Sequence, residues 1–124
     1  MRLSRLAQIK RYLASLEYTR EADVVLDGGC GYGFGSDMLA KRVSRVIGVD
    51  VSPQAIAYAK KHYNSDNIIY LIGNLENQLI HSHGHYDIIT LFEVLEHIDE
   101  PKNALRALRE NIKDEGLLFV SVPN

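Results

Sequence analysis

The sequence predicts an α/β protein built on an open, doubly wound and mainly parallel sheet. Three observations carry that expectation. Short apolar runs alternate along the chain with stretches of helical periodicity, the order of successive strand–helix–strand units. The first run, Val24-Val25-Leu26, is apolar at every position, as a strand covered on both faces requires. Behind it, Asp27 is followed by Gly28, Gly29, Gly31, Gly33 and Gly35, so five of the nine glycines fall within eight residues. Glycine lets a chain turn sharply and lets a ligand approach the backbone closely. With helix formers from Ser36 to Arg42, this is the first half of a nucleotide-binding βαβ unit.

The remaining elements follow in order. Leu3, Leu6, Ile9, Leu13 and Leu16 recur at helical spacing, with Arg2, Arg5, Lys10 and Arg11 between them, so residues 1–20 read as a leading amphipathic helix over a 21–124 core. The basic residues make a solvated face. Arg45-Val46-Ile47-Gly48-Val49-Asp50 is the second strand, ending in an acid. Ser52-Pro53 opens the next helix as N-cap and first-turn proline, with Ala55, Ile56 and Ala59 inward up to Lys61. Asn67 to Ile72 is the third strand, followed by Gly73-Asn74-Leu75. His81-Ser82-His83-Gly84-His85 reads as a polar surface loop, since no cysteine or carboxylate stands at zinc spacing beside it. Tyr86 to Phe92 is the fourth strand, Pro101 to Ile112 a helix, Asp114-Glu115-Gly116 a turn, and Leu117 to Val122 the fifth strand before Pro123-Asn124.

Size and composition bound the function. At 124 residues the chain is one domain, 1–124, small for its class. A formal net charge of −2 gives no basic surface for nucleic acid or an acidic membrane. The single cysteine excludes a disulfide framework and points to a reducing, cytoplasmic setting, and no apolar run has membrane-spanning length.

The glycine string does not read as a dinucleotide fingerprint. Counting G-x-G-x-x-G from Gly29 and Gly31 ends on Phe34, and counting from Gly31 and Gly33 ends on Ser36. It reads better as Asp-x-Gly-x-Gly-x-Gly, with the acid closing the strand. This resembles motif I, V-L-D-x-G-C-G-x-G, of the class I S-adenosylmethionine (SAM) dependent methyltransferases. The resemblance implies a Rossmann-like sheet of order 3-2-1-4-5 and SAM as cofactor, with S-adenosylhomocysteine as product. It implies that Asp27 accepts from the ligand's ammonium or from loop amides, with Gly29, Cys30, Gly31 and Gly33 around the methionine moiety. Asp50 lies 17 residues beyond Gly33, where a βαβ unit sets a carboxylate against ribose hydroxyls. Val51 then lies beside the adenine. Where the family commonly has an acid, Asn74 stands here, and its carbonyl accepts from the adenine amino group. The Leu75 amide meets a ring nitrogen. A leading helix often helps close the site in this family, which makes Tyr12 and Tyr18 candidate lid residues.

A second resemblance lies in Phe92-Glu93-Val94-Leu95-Glu96-His97, after the fourth strand. The string E-V-L-E-H matches a group that includes ubiquinone-pathway O-methyltransferases, with Phe92 at the cofactor. His97 is a candidate general base on a substrate hydroxyl, because its reference pKa lies near neutrality, and Glu93 is a second catalytic candidate. Small-RNA 2′-O-methyltransferases hold a metal with a similar string; Glu93, Glu96 and His97 supply three such ligand types here, but no fourth, so no metal is expected. No Pro-Pro-Tyr string follows this strand, against amino methylation of bases, and Cys30 in the glycine turn does not support covalent catalysis.

The expectation is therefore a SAM-dependent methyltransferase acting on a small-molecule acceptor, at a hydroxyl oxygen. The alternatives are a SAM-binding module without turnover and, on the poorer glycine register, a nicotinamide-dependent oxidoreductase. The resemblance runs from Val24 to Asn124. Family members continue through another helix and two strands, so the sheet is expected to lack these. An uncovered fifth strand then implies a homo-oligomer associating through that strand.

Overall fold

A computed structural model describes residues 3–76 and 78–121. The side chains of Arg2, Leu3 and Arg5, and the expected strand end at Val122 before Pro123-Asn124, lie outside what is described. In chain order the elements are α1 (Leu3–Leu16), β1 (Val24–Gly28), α2 (Phe34–Ala40), β2 (Arg45–Asp50), α3 (Pro53–His62), β3 (Ile68–Ile72), α4 (Gln78–Ser82), β4 (Tyr86–Phe92), a 3₁₀ turn (Leu95–His97), α5 (Pro101–Asn111) and β5 (Ile112–Ser121). The strands form one sheet in the order β3-β2-β1-β4-β5, and every pairing is parallel. All five carboxyl ends therefore meet along one edge, where open α/β sheets take ligands.

Strand alternation sorts the core onto two faces. Val25, Val46 and Ile88 point to one side and pack with Tyr12, Leu39 and Val43 from α1, α2 and the turn after it. Leu26, Ile47, Ile89 and Leu91 point to the other and pack with Ile80, Ala104 and Leu108 from α4 and α5. Each of these fully buried Leu and Ile side chains stabilises the fold by about 1.5–3 kcal/mol relative to exposure. The Ser52 hydroxyl caps α3 by accepting from the Ala55 N–H at 3.1 Å, ahead of Pro53 in the first turn.

Two local expectations are corrected. The histidine loop is helical in its first part, since α4 includes His81 and Ser82. The expected turn at 114–116 is a bulge inside β5: Tyr86 pairs with Ile112 and Ile88 with Leu117, so the intervening residues loop out of register. Lys113 in that bulge pairs with Asp87 at 2.9 Å, and the same carboxylate accepts the Val24 N–H at 2.8 Å, tying the starts of β1, β4 and β5 together.

Candidate functional site

The glycine turn folds back over the end of β2. Gly29 and Cys30 both donate to the Val49 carbonyl, at 2.7 and 2.9 Å. Asp50 then fastens the turn from the side: one carboxylate oxygen accepts the Gly31 N–H and the other the Ser52 N–H, each at 2.9 Å. The acid ending β2 thus shapes the loop as well as standing at the sheet edge.

Two cavities open along this edge and share Gly29 as a wall. The larger, of about 550 Å³, is lined by Asp50, Val51, Asn74, Leu75, Glu93 and His97 among others. The smaller, of about 460 Å³, lies among Gln8, Tyr12, Tyr32, Phe34, Tyr58 and Phe92, with Cys30 and Gly31 also on its wall. Any side chain at Gly29 would strike Val94, whereas Gly31 faces open space at φ 57° and presents bare backbone to the smaller cavity. Seven of the residues singled out from sequence, Gly29 included, thus meet around one cavity. Gly33 does not reach either wall; it precedes α2 at φ 97° and packs against Ala59. Tyr12 lines the smaller cavity, while Tyr18 lies away from it against Phe119, ring centroids 5.4 Å apart.

Asp27 is placed differently from the expectation that it meets a ligand's ammonium. Its carboxylate is fully buried and accepts three hydroxyls: Tyr12 at 2.9 and 3.1 Å, Ser36 at 2.7 Å and Thr90 at 2.8 Å. The reason is alternation: Asp27 shares the face of Val25, which α1 and α2 cover. It joins the leading helix to the sheet and touches neither cavity. Burial pushes its carboxyl up to about 6, against the three hydroxyl bonds that pull it down. A carboxyl raised from 3.8 to about 6 on folding makes the folded state the tighter proton binder between those values. Its contribution, roughly 3 kcal/mol, should therefore be gained as pH falls through 6 towards 4 and be absent above it. Asp27→Asn keeps an acceptor for the hydroxyls without the charge. The stability of the wild type relative to this variant should rise on acidification; parallel denaturation curves at pH 8 and pH 5 would refute it.

Asn74 accepts the Glu76 N–H on its side-chain oxygen at 2.9 Å, so its carbonyl is oriented and keeps a second lone pair. Cys30 is buried and free, and burial raises its thiol well above the ordinary range with Asp27 and Asp50 adding to the effect, so it stays neutral. His97 stands on the 3₁₀ turn with its side chain 78% exposed, its Nε2 3.6 Å from Glu96. Glu93, a catalytic candidate by sequence, is tied instead to Arg11 at 2.8 Å. Among the described residues no group of three His, Cys, Asp or Glu side chains could hold a metal, and the weak ligand candidates Glu93, Glu96 and His97 form no such group.

Residues 2–124 match the family described as methyltransferase domain. The chain belongs to that family. Among relatives, the mitochondrial ubiquinone biosynthesis O-methyltransferase of Schizosaccharomyces pombe is 37% identical over 102 residues, covering 78% of this chain and 36% of the relative. The corresponding enzyme of Glaesserella parasuis is 37% identical over 106 residues, covering 81% and 45%. Among solved structures, the methyltransferase partner in a Haloferax volcanii complex with the Trm112 activator superposes with a TM-score of 0.79 at 23% identity, covering 92% of this chain and 50% of that one, a likeness of fold. The chain thus spans less than half the length of these curated relatives. It is a methyltransferase domain of the class I, SAM-dependent group, and its larger cavity is lined by a carboxylate at the end of β2, an oriented amide after β3 and the backbone of Gly29. Among the described residues no helix is long and apolar enough to cross a membrane.

Tyr32, Tyr58 and Gln8 on the smaller cavity were not legible in the sequence as site residues. Tyr32 and Phe34 stand inside the glycine string, a signal that could have found them. The Arg11–Glu93 pair, 82 positions apart, left none.

Proposed function

We propose that this chain binds SAM with its nucleoside in the larger cavity and its methionine end across Gly29 in the smaller, and serves a methyl transfer to a hydroxyl oxygen of a small-molecule acceptor, leaving S-adenosylhomocysteine. One observation carries the reading: Asp50, Asn74 and Leu75 line the same cavity as His97. Each Asp50 oxygen accepts one backbone amide and keeps a lone pair for a ribose hydroxyl. Val51, 69% exposed, offers an apolar flank to the base, and Asn74 and the Leu75 amide read its edge. Gly29, Gly31 and the Cys30 backbone, with Phe92 beyond them, hold the methionine end. Asp27 and Gly33 act behind this wall, by fixing α1 and the start of α2.

SAM supplies an electrophilic methyl group on a sulfonium. His97 takes the proton of the acceptor hydroxyl as its oxygen becomes nucleophilic, and Glu96 beside the ring stabilises the imidazolium. Bringing acceptor and donor together supplies much of the acceleration. The free Cys30 thiol suits a reducing, cytoplasmic compartment. Melting the protein with SAM, S-adenosylhomocysteine and NAD tests the binding claim. The first two at a hundredfold excess over Kd should stabilise by about 2.7 kcal/mol and NAD should not; no shift with either sinks the reading.

A second reading is donor binding without turnover by this chain alone. Donor binding without methylation of any hydroxylated acceptor would select it. We also propose self-association through β5, whose Leu117, Leu118 and Val120 are each more than 40% exposed while β4 is its only partner strand among the described residues. Phe119 packs inward, so Leu118→Lys is the cleaner test than a change at Phe119. Light scattering should give a dimer or larger for the wild type and a smaller species for Leu118→Lys; a wild-type monomer refutes it.

A further inference from the structure

Glu93 is the one described residue other than glycine with positive φ, 58°. A side chain in that region crowds its own backbone and stays there only when its surroundings hold it. Two contacts do so. Its N–H donates to the Ser121 hydroxyl of β5 at 2.9 Å, and its carboxylate takes Arg11 Nη1 of α1 at 2.8 Å. Neither anchor is loose. β5 is paired along β4, and Tyr12, next to Arg11, is bonded to Asp27. The following residue, Val94, packs against Gly29 where the two cavities meet. Contacts therefore run without a gap from α1 through Arg11, Glu93 and Val94 to the glycine turn.

We propose that Arg11 is a positioning residue: by holding Glu93 it sets the turn after β4, and through Val94 the wall between the cavities, so that docking of α1 and donor binding are coupled. Arg11 lines neither cavity and touches no ligand in this account. The pair is part-exposed, with side chains 27% and 36% accessible, so solvent screens it and its removal should barely move the melting temperature. Its effect lies in geometry rather than in stability. The inference rests on reading the larger cavity as the donor site, and the two can fail separately.

The test is a double-mutant cycle read by calorimetry with S-adenosylhomocysteine and by amide chemical shifts of Gly29 and Val94. Arg11→Gln should weaken binding about tenfold, in the range usual for coupled sites, and should move both amides. Glu93→Gly adopts positive φ without strain, so in that background Arg11→Gln should change neither affinity nor shifts further. Unmoved amides in the single variant, or an equal loss in both backgrounds, would overturn the proposal. Should the wild type bind no S-adenosylhomocysteine, the donor-site reading fails while the amide shifts still decide the role of Arg11.

Discussion

Truncating Tyr12 to alanine is expected to destabilise the protein by about 3–5 kcal/mol, the usual range for removing a buried aromatic ring. The ring is 5% exposed and meets Phe92 edge-on at 4.9 Å and Phe34 at 5.8 Å. It lies so close over Gly35 that any side chain there would strike it. Its loss opens a cavity between α1 and the sheet and takes one of three hydroxyls from the buried Asp27 carboxylate. Tyr12→Phe keeps the ring and removes only that bond, so about 1–2 kcal/mol is expected. Urea denaturation of both variants measures this. Losses of equal size would mean that the hydroxyl, not the ring, anchors α1. A loss below about 1 kcal/mol for Tyr12→Ala would mean that α1 is held elsewhere.

Asp50→Ala should weaken donor binding by about 1–3 kcal/mol, the penalty for leaving hydrogen-bonding hydroxyls without their acceptor. From sequence alone this change would be expected to leave stability untouched, as at a solvated strand end. The structure alters that expectation. Both carboxylate oxygens hold backbone amides, of Gly31 and Ser52, so the alanine variant should also lose about 1–2 kcal/mol of stability and loosen the glycine turn. Asp50→Asn keeps one acceptor oxygen and should fall between wild type and alanine in both respects. Calorimetry with S-adenosylhomocysteine beside a denaturation curve separates the two effects. Unchanged affinity in Asp50→Ala would remove Asp50 from the donor site.

The chain's local chemistry was sufficient for much of this architecture. Arg45–Asp50 and Tyr86–Phe92 form strands over the bounds their apolar runs predict, and Ser52-Pro53 starts α3 as the cap rules require. The glycines behind Asp27 marked the turn because a backbone needing positive φ and close approach has few other solutions. Even the burial of Asp27 was legible in principle, since alternation sets it on the face of Val25. What could not be read was what covered that face. The three hydroxyls around Asp27 come from positions 12, 36 and 90, and nothing local pairs them. The bulge in β5 is likewise a tertiary result, matched by Lys113 reaching Asp87 across the sheet edge. Sequence alone determined four of the strands and the glycine turn, because period, capping and glycine content act within a few residues, and two short motifs carried the resemblance to the family. Tertiary structure alone decided which hydroxyls meet the buried Asp27 carboxylate, which cavity Asp50 lines, and that α1 grips the turn after β4 through Arg11. Those outcomes depend on the crossing of elements far apart in the chain, where a shift of one residue would send the same side chain to the other face.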